Sequence, residues 1–355
     1  MYVVIMAGGV GARFWPMSRA HRPKQLLPLF SDKPMIAETV QRFLGWVPAE
    51  NILVVTSASL VDAIAECVPE LPRENLIAEP MGRNTAPCIA LALAAIEARS
   101  GGADSVDEVV SVFPADHFIA NQAAFETTVQ AAADNAEPGA IVTIGITPTS
   151  PATGYGYIQT GEQMASGGMA VKRFVEKPDR ETALGYLQSG EYVWNAGMFV
   201  FRASAMRGEL KRQLPAMEQA IAPLCAALKS NDADALSSTF GALDRVSIDY
   251  GVMEGASDVR VVPATFGWSD VGHWDALPEV SEQDADGNVI QGDVVALSCK
   301  NSVMLSTGGR VVAGVGLENM VVVDTEDAVL VAPRHRVQEV RGIVDALKPR
   351  GGRLT

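Results

Sequence analysis

The sequence is poor in cysteine, histidine and positive charge. Its four histidines show no metal-ligand spacing of the HExxH kind. A formal net charge of −14 argues against a nucleic-acid partner, because binding to a polyanion depends on surplus Lys and Arg. The cysteines are far apart, which indicates neither a CxxC metal site nor a disulfide framework, and we expect buried thiols. The four are Cys67, Cys88, Cys225 and Cys299.

Long apolar runs are absent as well. No stretch approaches the roughly 20 residues that a membrane-spanning helix needs. The N-terminus lacks the basic start, the apolar stretch and the small-residue cleavage site of a signal peptide. We therefore expect no membrane partner and a cytoplasmic location.

The first part of the chain has the pattern of an α/β domain. Hydrophobic residues make up 48% of the 355 residues, enough for a large core. Up to about residue 145, short β-branched runs alternate with segments of helical period, which predicts a parallel sheet with crossover helices. The predicted strands are Tyr2–Met6, Ile52–Thr56, Asn75–Ala78, Val109–Phe113 and Ile141–Ile146, and the predicted helices are Met35–Leu44, Ser59–Cys67, Ala86–Arg99 and Gln122–Asn135.

Residues from about 150 to 275 mix strands and helices, and we interpret them as an insertion on the same sheet that shapes the substrate site. The predicted strands here are Tyr155–Thr160, Val171–Val175, Met198–Phe201 and Val259–Pro263, and the predicted helices are Arg180–Gln188 and Ala203–Leu228.

After Asp284 the sequence consists of short strands separated by Gly, Asp, Asn and Ser. Such spacing indicates a small all-β unit, either a β-helix-like stack or a barrel-like sandwich. The stretch that begins Gln283-Asp-Ala-Asp-Gly-Asn places a domain boundary between residues 283 and 284. The predicted domains are therefore 1–283 and 284–355.

A glycine-rich loop follows the first strand, in residues 6–25, which read MAGGVGARFWPMSRAHRPKQ. Glycines expose backbone N–H groups, and exposed N–H groups beside Arg13 and Lys24 suit phosphate oxygens. A dinucleotide-binding fingerprint is excluded because Phe14 stands where a small residue is needed and Pro16 delays any helix. A Walker loop is excluded because no Gly-Lys-Ser/Thr closes the glycine run.

What remains, Gly8-Gly9-x-Gly11-x-Arg13-x-x-Pro16 followed by Arg22-Pro23-Lys24-Gln25, resembles the loop of the sugar nucleotidyltransferases. These enzymes join a nucleoside triphosphate to a sugar 1-phosphate. The loop can wrap the triphosphate while the two cations neutralise charge on the departing pyrophosphate. The resemblance implies nucleotide contacts at Ala7, Gly8, Gly9, Gly11, Arg13 and Lys24.

A second motif narrows the family. The string Glu79-Pro-Met-Gly-Arg83-Asn84-Thr85-Ala-Pro resembles the EPxxRNTAP motif of the mannose-1-phosphate guanylyltransferases. The resemblance implies that Glu79, Arg83, Asn84 and Thr85 contact the nucleotide, with a preference for guanine. Asn84 or Thr85 could instead cap the helix that follows.

Two aspartates are candidate metal ligands. Asp116, in Phe113-Pro114-Ala-Asp116-His, follows a strand at the edge where open α/β sheets bind ligands, and the resemblance adds Pro114 as a nucleotide contact. An acidic residue beside a triphosphate is expected to bind a cation, since the two negative groups would otherwise repel each other. Asp270, which lies between Gly267 and Gly272, is the proposed second ligand of this cation. Mg²⁺ commonly takes one or two protein carboxylates. Either aspartate alone could be a helix or turn cap.

Four further motifs resemble those of the family, and we expect them to bind the sugar phosphate. They are Gly154-Tyr155-Gly-Tyr-Ile, Phe174-Val-Glu176-Lys177-Pro, Trp194-Asn195-Ala-Gly-Met-Phe and Ser247-Ile-Asp249-Tyr-Gly-Val-Met-Glu. Carboxylate and amide groups form hydrogen bonds with hexose hydroxyls, and a lysine pairs with a phosphate. Alternatively, Glu176 and Lys177 could be a solvated surface pair. The predicted sugar contacts are Gly154, Tyr155, Glu176, Asn195 and Asp249, with Lys177 on a phosphate.

Together these motifs predict an α/β fold, with a Rossmann-like, mostly parallel sheet as nucleotidyltransferase domain and a small, β-helix-like C-terminal domain. The predicted reaction joins GTP and mannose 1-phosphate, with Mg²⁺, to give GDP-mannose and pyrophosphate in a homodimer. The alternatives are a non-catalytic GDP-mannose sensor, or the same transfer with another base or sugar. Phosphomannose isomerase activity is not expected. The predicted catalytic residues are Arg13, Lys24, Asp116, Lys177 and Asp270.

Overall fold

The computed structural model describes residues 1–100, 107–136, 139–350 and 354. Within them, no helix combines the length and the apolarity needed to cross a membrane. The strands are β1 Tyr2–Met6, β2 Ile52–Ser57, β3 Leu76–Glu79, β4 Val109–Pro114, β5 Phe118–Ile119, β6 Ile141–Ile146, β7 Tyr157–Gln163, β8 Met169–Val175, β9 Tyr192–Arg202, β10 Val259–Ala264, β11 Trp268–Ser269, β12 Val289–Gln291, β13 Val294–Leu297, β14 Val303–Ser306, β15 Val312–Val315, β16 Met320–Asp324 and β17 Val329–Pro333.

Short 3₁₀ turns and eleven helices connect the strands in the described part of the chain. One predicted helix, Ala203–Leu228, is wrong as a single element. It is two helices, because Leu214 leaves helical geometry (φ −133°, ψ 60°) and Pro215 begins the second. The helices are α1 Met35–Gln41, α2 Val61–Cys67, α3 Thr85–Arg99, α4 Gln122–Ala136, α5 Arg180–Ser189, α6 Ala203–Gln213, α7 Pro215–Ser230, α8 Ala233–Gly241, α9 Ile248–Gly251, α10 Leu277–Val280 and α11 Val340–Leu347.

The chain forms two compact units that interleave along the sequence. The first consists of Met1–Gly8, Val40–Ala115 and Asn121–Trp268, and the second of Gly9–Thr39, Asp116–Ala120 and Ser269–Thr355. The glycine-rich loop beyond Gly8 therefore belongs to the unit that contains the C-terminal strands. The boundary at 283/284 stays a prediction.

The first unit is built on a nine-stranded sheet in the order β3-β2-β1-β4-β9-β6-β10-β8-β7. Strands β3, β2, β1 and β4 pair in parallel, as the alternating pattern predicts. Strand β9 runs antiparallel between β4 and β6, and it is much longer than the predicted Met198–Phe201. The antiparallel pairings thus involve β7, β8 and β9, from the middle of the chain, whereas β6 and β10 pair in parallel.

The core of this unit lies between the sheet and its helices. Helix α3 is buried from Ala86 to Ile96, which explains why its sequence is apolar all round. Residues of α3 and α7, among them Ile89 and Leu224, share one buried cluster with the sheet. The second motif ends in the first turn of α3, so this buried helix positions its last three residues, Thr85, Ala86 and Pro87.

The second unit contains a stack of short parallel strands. Strands β12, β14 and β16 pair in parallel, β13 and β15 form a second parallel pair, and β17 closes one edge antiparallel to β16. Two parallel ladders built from successive turns of the chain are β-helix-like, which confirms that expectation over the barrel-like alternative. Phe14 and Trp274 join the core of this unit with ring centroids 4.8 Å apart.

Candidate active site

In the first unit, strand β1 ends in a fixed backbone that leads to Gly8. The Ala7 N–H donates to the Val55 carbonyl at 2.8 Å, and the Thr56 hydroxyl donates to the Ala7 carbonyl at 3.0 Å. A Cβ on Gly8 would lie 3.3 Å from Glu79 Oε2, so glycine lets the backbone pass close to this carboxyl. The predicted nucleotide contacts Ala7, Gly8 and Glu79 are therefore neighbours.

Glu79 is a buried carboxyl at the end of β3. Burial raises its pKa to about 7, although a hydrogen bond from the Cys88 thiol lowers it in part. Burial and the nearby Glu79 charge raise the pKa of Cys88, which keeps this cysteine a thiol, as expected. A carboxyl with a pKa near 7 changes its protonation in the physiological range.

The second motif forms a loop held to the first turn of α3. Asn84 is the N-cap, and its side chain accepts from the Thr85 N–H at 2.9 Å, so the helix-cap interpretation holds for this residue. Its backbone, at φ 73° and ψ −172°, lies in a region that non-glycine residues rarely adopt. The Thr85 hydroxyl accepts from the Ile248 N–H at 2.8 Å, which ties the motif to α9.

Arg83 folds back onto the C-terminal end of α8. Its guanidinium donates to the Gly241 carbonyl, while its Nε is buried and finds no partner within the described residues. Asn84 is exposed and Arg83 is half-buried. Polar groups of both residues are thus present in this loop, and their contact with a nucleotide stays a prediction.

A cavity of about 360 Å³ in this unit brings three of the predicted motifs together. Arg245 also lines it, and the sequence does not predict this residue, because it precedes the fourth sugar motif by two positions and belongs to no local pattern. The lining residues are Asn84, Thr85, Glu176, Lys177, Arg245, Val246, Ser247, Asp249 and Tyr250.

Three of the predicted sugar contacts form one polar group. The Asn195 side-chain Nδ2 donates to Asp249 Oδ1 at 2.9 Å, and the Asn195 N–H donates to the Gly156 carbonyl at 2.8 Å. A Cβ on Gly156 would lie 2.6 Å from Glu176 Oε2, so only glycine leaves room for this carboxylate. The Lys177 ammonium pairs with Glu176, and Lys177 has a positive φ of 47°.

The charges in this cavity oppose one another. Burial raises the pKa of Asp249 to about 6, and the neighbouring Glu176 charge adds to the rise. Burial alone would lower the pKa of Lys177, but the hydrogen bond and the charge of Glu176 raise it. The cavity thus holds a permanent cation beside a carboxyl that protonates easily.

The remaining predicted contacts of this unit lie elsewhere. The Tyr155 ring packs edge-on against Trp194 and Trp268, with centroids 5.0 and 5.3 Å apart. Gly154 is exposed, and neither residue is among the described residues that line the cavity. Pro114 lies beside Gly197, 3.9 Å from the position of a Cβ there.

The second unit contains a separate cluster around the Lys24 ammonium. Lys24 Nζ donates to the Asp116 carbonyl at 3.0 Å and to the Asp270 carbonyl at 2.6 Å, and it pairs with Asp116 Oδ2 at 2.9 Å. Its side chain is only 5% exposed, and three acceptors use all three N–H donors of an ammonium. One lysine therefore joins both predicted metal ligands.

The glycine loop is shaped around this lysine. Gly11 has a φ of +66°, and a Cβ there would lie 2.3 Å from the Lys24 Cβ. A Cβ on Gly9 would meet nothing within 4 Å. Gly11 is thus required by packing and by backbone geometry, whereas Gly9 is not.

Asp116 carries charge because of its neighbours. Burial would raise its pKa, but the positive charges of Lys24 and His117 and the hydrogen bond from Lys24 bring it below the usual value. The exposed Arg13 donates to the Gly272 carbonyl at 3.1 Å. Both predicted phosphate-binding cations thus reach the segment around Asp270.

Backbone strain marks the Asp270 segment. Val271 is fully buried and has a φ of 42°, which is rare for a β-branched residue. A Cβ on Gly272 would lie 2.8 Å from Asp270 Oδ2, so glycine leaves that oxygen clear. Burial lowers the pKa of the neighbouring His273, a residue that the sequence reasoning did not single out. Such strain persists where the surrounding packing holds it, often at functional sites.

These residues fit a lightly ligated divalent cation. The described residues contain no group of three or more His, Cys, Asp or Glu side chains that could hold a metal on their own. Asp116 is ionised and Asp270 has one oxygen beside a glycine, and Mg²⁺ commonly needs only one or two carboxylates when phosphates and water complete its shell.

Comparison with known proteins identifies the family. The family model described as nucleotidyl transferase matches residues 2–287. The chain belongs to the nucleotidyl transferase family. A second model, a MannoseP isomerase/GMP-like beta-helix domain, matches residues 292–347, in agreement with the β-helix-like strands of this nucleotidyl transferase.

Curated relatives resemble this nucleotidyl transferase over nearly its whole length. The xanthan biosynthesis protein XanB of Xanthomonas campestris pv. campestris (strain ATCC 33913) is 47% identical over 354 residues, which cover 98% of this chain and 73% of that protein. The mannose-1-phosphate guanylyltransferase of Escherichia coli K12 is 44% identical over 361 residues, covering 99% of this chain and 74% of that protein. The resemblance to the mannose-1-phosphate guanylyltransferases, predicted from the motifs, is confirmed.

A solved structure is similar in fold. The crystal structure described as mannose-1-phosphate geranyltransferase from Thermus thermophilus superimposes with a TM-score of 0.87 at 38% identity. The match covers 98% of this chain and 99% of that one.

Proposed function

We infer that this nucleotidyl transferase transfers GMP from GTP to mannose 1-phosphate, giving GDP-mannose and pyrophosphate. The observation that carries the inference is the cavity that gathers Asn84, Glu176, Lys177 and Asp249 from three separate motifs of that family. Near full-length similarity to relatives named mannose-1-phosphate guanylyltransferase supports the choice of base and sugar.

The reaction is an in-line displacement at phosphorus. A phosphate oxygen of mannose 1-phosphate forms the new bond to the α-phosphorus of GTP, and the bond from that phosphorus to the β-phosphate oxygen breaks. The electron pair leaves with pyrophosphate. Because the attacking oxygen is already an anion, no general base is needed, and catalysis consists of alignment and charge stabilisation.

The proposed roles follow the chemistry of each side chain. Glu176, Asn195 and Asp249 orient sugar hydroxyls, and Lys177 neutralises a phosphate. The pairing of Lys177 with Glu176 supports this role, because the pair fixes the ammonium at the cavity wall. The second motif contacts the nucleotide, with Glu79 buried beside Gly8.

Arg13 and Lys24 are proposed to stabilise the departing pyrophosphate, Lys24 through its charge alone because acceptors of Asp116 and Asp270 use its N–H donors. Lys24 has a further role that its contacts support: its ammonium orients Asp116 and Asp270. We propose that these two aspartates hold a divalent cation, Mg²⁺. When bound, such an ion neutralises phosphate charge and polarises the phosphoryl oxygens.

The function is tested by pyrophosphate release from the purified protein with Mg²⁺. Each of the nucleotides GTP, ATP and dTTP is assayed in three mixtures: with mannose 1-phosphate, with glucose 1-phosphate, and without a sugar phosphate. Sugar-dependent release with GTP and mannose 1-phosphate alone is the expected result. Pyrophosphate release with another base or sugar would reassign the substrate. If no nucleotide gives pyrophosphate but the protein binds GDP-mannose, the non-catalytic sensor is favoured.

We also propose that the protein is a homodimer through its C-terminal strands. Strands β13 and β15 carry exposed apolar side chains, with Val295, Leu297 and Val315 exposed by 47%, 58% and 73%. Exposed apolar patches commonly mark protein interfaces. Light scattering is expected to give twice the chain mass for the wild type and a single chain mass for Val315→Asp. A cytoplasmic location stays a prediction from the sequence.

A further inference from the structure

Thr143 is a fully buried hydroxyl that belongs to none of the recognised motifs. It lies on β6, where its Oγ1 is 2.9 Å from Asn195 Oδ1 and 3.2 Å from the Met198 carbonyl. A hydroxyl has one proton, and Asn195 Oδ1 is the nearer of the two acceptors. Thr143 thus contacts the amide that faces the cavity residue Asp249.

Gly197 holds the same amide from the other side. Its N–H donates to Asn195 Oδ1 at 3.1 Å. A backbone N–H can only donate, so the atom that it meets must be the amide oxygen. The amide nitrogen therefore faces Asp249 Oδ1, at 2.9 Å.

We propose that Thr143 is a positioning residue for the sugar-phosphate site: together with the Gly197 N–H, its hydroxyl holds the Asn195 amide in the orientation that donates to Asp249. Asn195 is 8% exposed, so no bulk water can replace a lost contact on its buried side. The catalytic consequence rests on the proposed function, whereas the side-chain geometry does not.

The charges around Asp249 determine how this positioning is measured. Glu176, Lys177, Arg245 and Tyr250 line the same cavity. Burial and Glu176 raise the pKa of Asp249, whereas Lys177 and the hydrogen bond from Asn195 lower it. Loosening the amide removes a contact that favours the carboxylate, so the pKa rises further.

The test compares Thr143→Val, which removes the hydroxyl and keeps the shape, with Thr143→Ser, which keeps the hydroxyl. For Thr143→Val we expect the KM for mannose 1-phosphate to rise about three- to tenfold, with a smaller change in kcat. The acid limb of the pH profile of kcat/KM moves to higher pH. Thr143→Ser restores both values, and Thr143→Ala serves if the valine variant does not fold.

The matched control is Thr128→Val on α4. Thr128 is also buried, and its hydroxyl donates to the Ala124 carbonyl at 2.7 Å within the helix. This variant is expected to change the melting temperature and to leave the KM for mannose 1-phosphate and the acid limb unchanged. The comparison separates loss of a buried hydroxyl from loss of this particular contact.

A second measurement does not depend on activity. Side-chain amide resonances of ¹⁵N-labelled protein, with the Asn195 pair assigned by its loss in Asn195→Ala, report hydrogen exchange at Nδ2. Faster exchange in Thr143→Val, and not in Thr128→Val, supports the proposal even if the wild type transfers no GMP. Unchanged exchange, KM and acid limb in a folded Thr143→Val protein would overturn it.

Discussion

Two aspartates, one in each unit, carry pKa shifts of opposite direction. Asp249, in the cavity of the first unit, has a pKa raised to about 6, whereas the pKa of Asp116 in the second unit is lowered. Burial acts in the same direction on both. The difference is that the Lys24 ammonium contacts the Asp116 carboxylate directly, while Asp249 faces another carboxylate, Glu176.

The difference shows that the two aspartates are suited to different chemical groups. A carboxylate kept ionised by a lysine is suited to a cation and to phosphate chemistry. A carboxyl that accepts a proton near pH 6 and receives an amide N–H is suited to neutral hydroxyl groups. Substitution of the partner that sets each shift tests this difference.

The largest effect is expected from Lys24→Met. The variant leaves Asp116 without its cation and removes a charge proposed to face pyrophosphate, so kcat for pyrophosphate release should fall by about a thousandfold or more. The pKa of Asp116 should rise, because the Lys24 charge is the largest of the contributions that oppose burial. The control is the exposed Lys33→Met in the same unit, which should retain wild-type turnover.

Asp270→Ala tests the cation assignment. We expect kcat to fall by about a thousandfold, together with weaker Mg²⁺ binding by calorimetry, because one of two proposed ligands is lost. Asp293→Ala, an exposed aspartate of the same unit, is the control. A decrease of less than about tenfold would contradict the metal role, since electrostatic groups of this kind contribute more.

Gly11→Ala is expected to disturb Lys24 without touching its charge. The new Cβ would lie 2.3 Å from the Lys24 Cβ in a positive-φ conformation, so the lysine must shift. Misplacement by about 1 Å can lower the rate about a hundredfold. Gly9→Ala, which meets nothing within 4 Å, is the matched control in steady-state kinetics and thermal melting. Equal effects of the two substitutions would contradict the packing argument.

Asp249→Asn gives a smaller effect and a change in pH dependence. Loss of a charged acceptor for sugar hydroxyls should lower kcat/KM for mannose 1-phosphate about tenfold or more. Wild-type activity should decrease as the pH falls through about 6, where this carboxylate becomes protonated. In the variant that limb should be absent, and an unchanged limb in the pH profile would assign it to another group.

The same substitution affects stability in a defined direction. The pKa of Asp249 is higher in the folded protein than its ordinary value of 3.8, so the folded state binds the proton more tightly. The contribution of this group to the free energy of unfolding therefore decreases as the pH rises from about 4 to about 6. Urea denaturation at both pH values should show a larger decrease in the wild type than in Asp249→Asn, because Glu79, whose pKa is also raised, contributes in both proteins.

Much of the fold could be predicted from local patterns. Strands β1 and β6 have the predicted bounds, and β2, β4 and α4 differ by one residue at one end. Buried parallel strands produce continuous apolar runs, which are visible in the sequence. The long strand β9 was predicted only in part, because Asn195 and Gly197, residue types depleted in strands, interrupt the pattern and the strand depends on its neighbours.

The sequence predicts the motifs of the candidate site. It does not predict their backbone conformation or the contacts between them. Strained backbone at Asn84, Lys177 and Val271 lies within or directly beside recognised motifs, yet no propensity predicts a positive φ at a valine. Thr143 contacts Asn195 and Arg245 lines the cavity, although no local sequence pattern predicts either position. Their roles appear only when separate segments fold against each other.

Local sequence predicts the chemical groups of the chain: a glycine loop with two cations, carboxylates after strands, and a run of motifs in family order. Which of these charges meet depends on tertiary contacts. Lys24 reaches Asp116 and Asp270 across separations of 92 and 246 residues. The physical reason is that periodicity reports the environment of single elements, whereas a pKa or a hydrogen bond depends on the contacts between them.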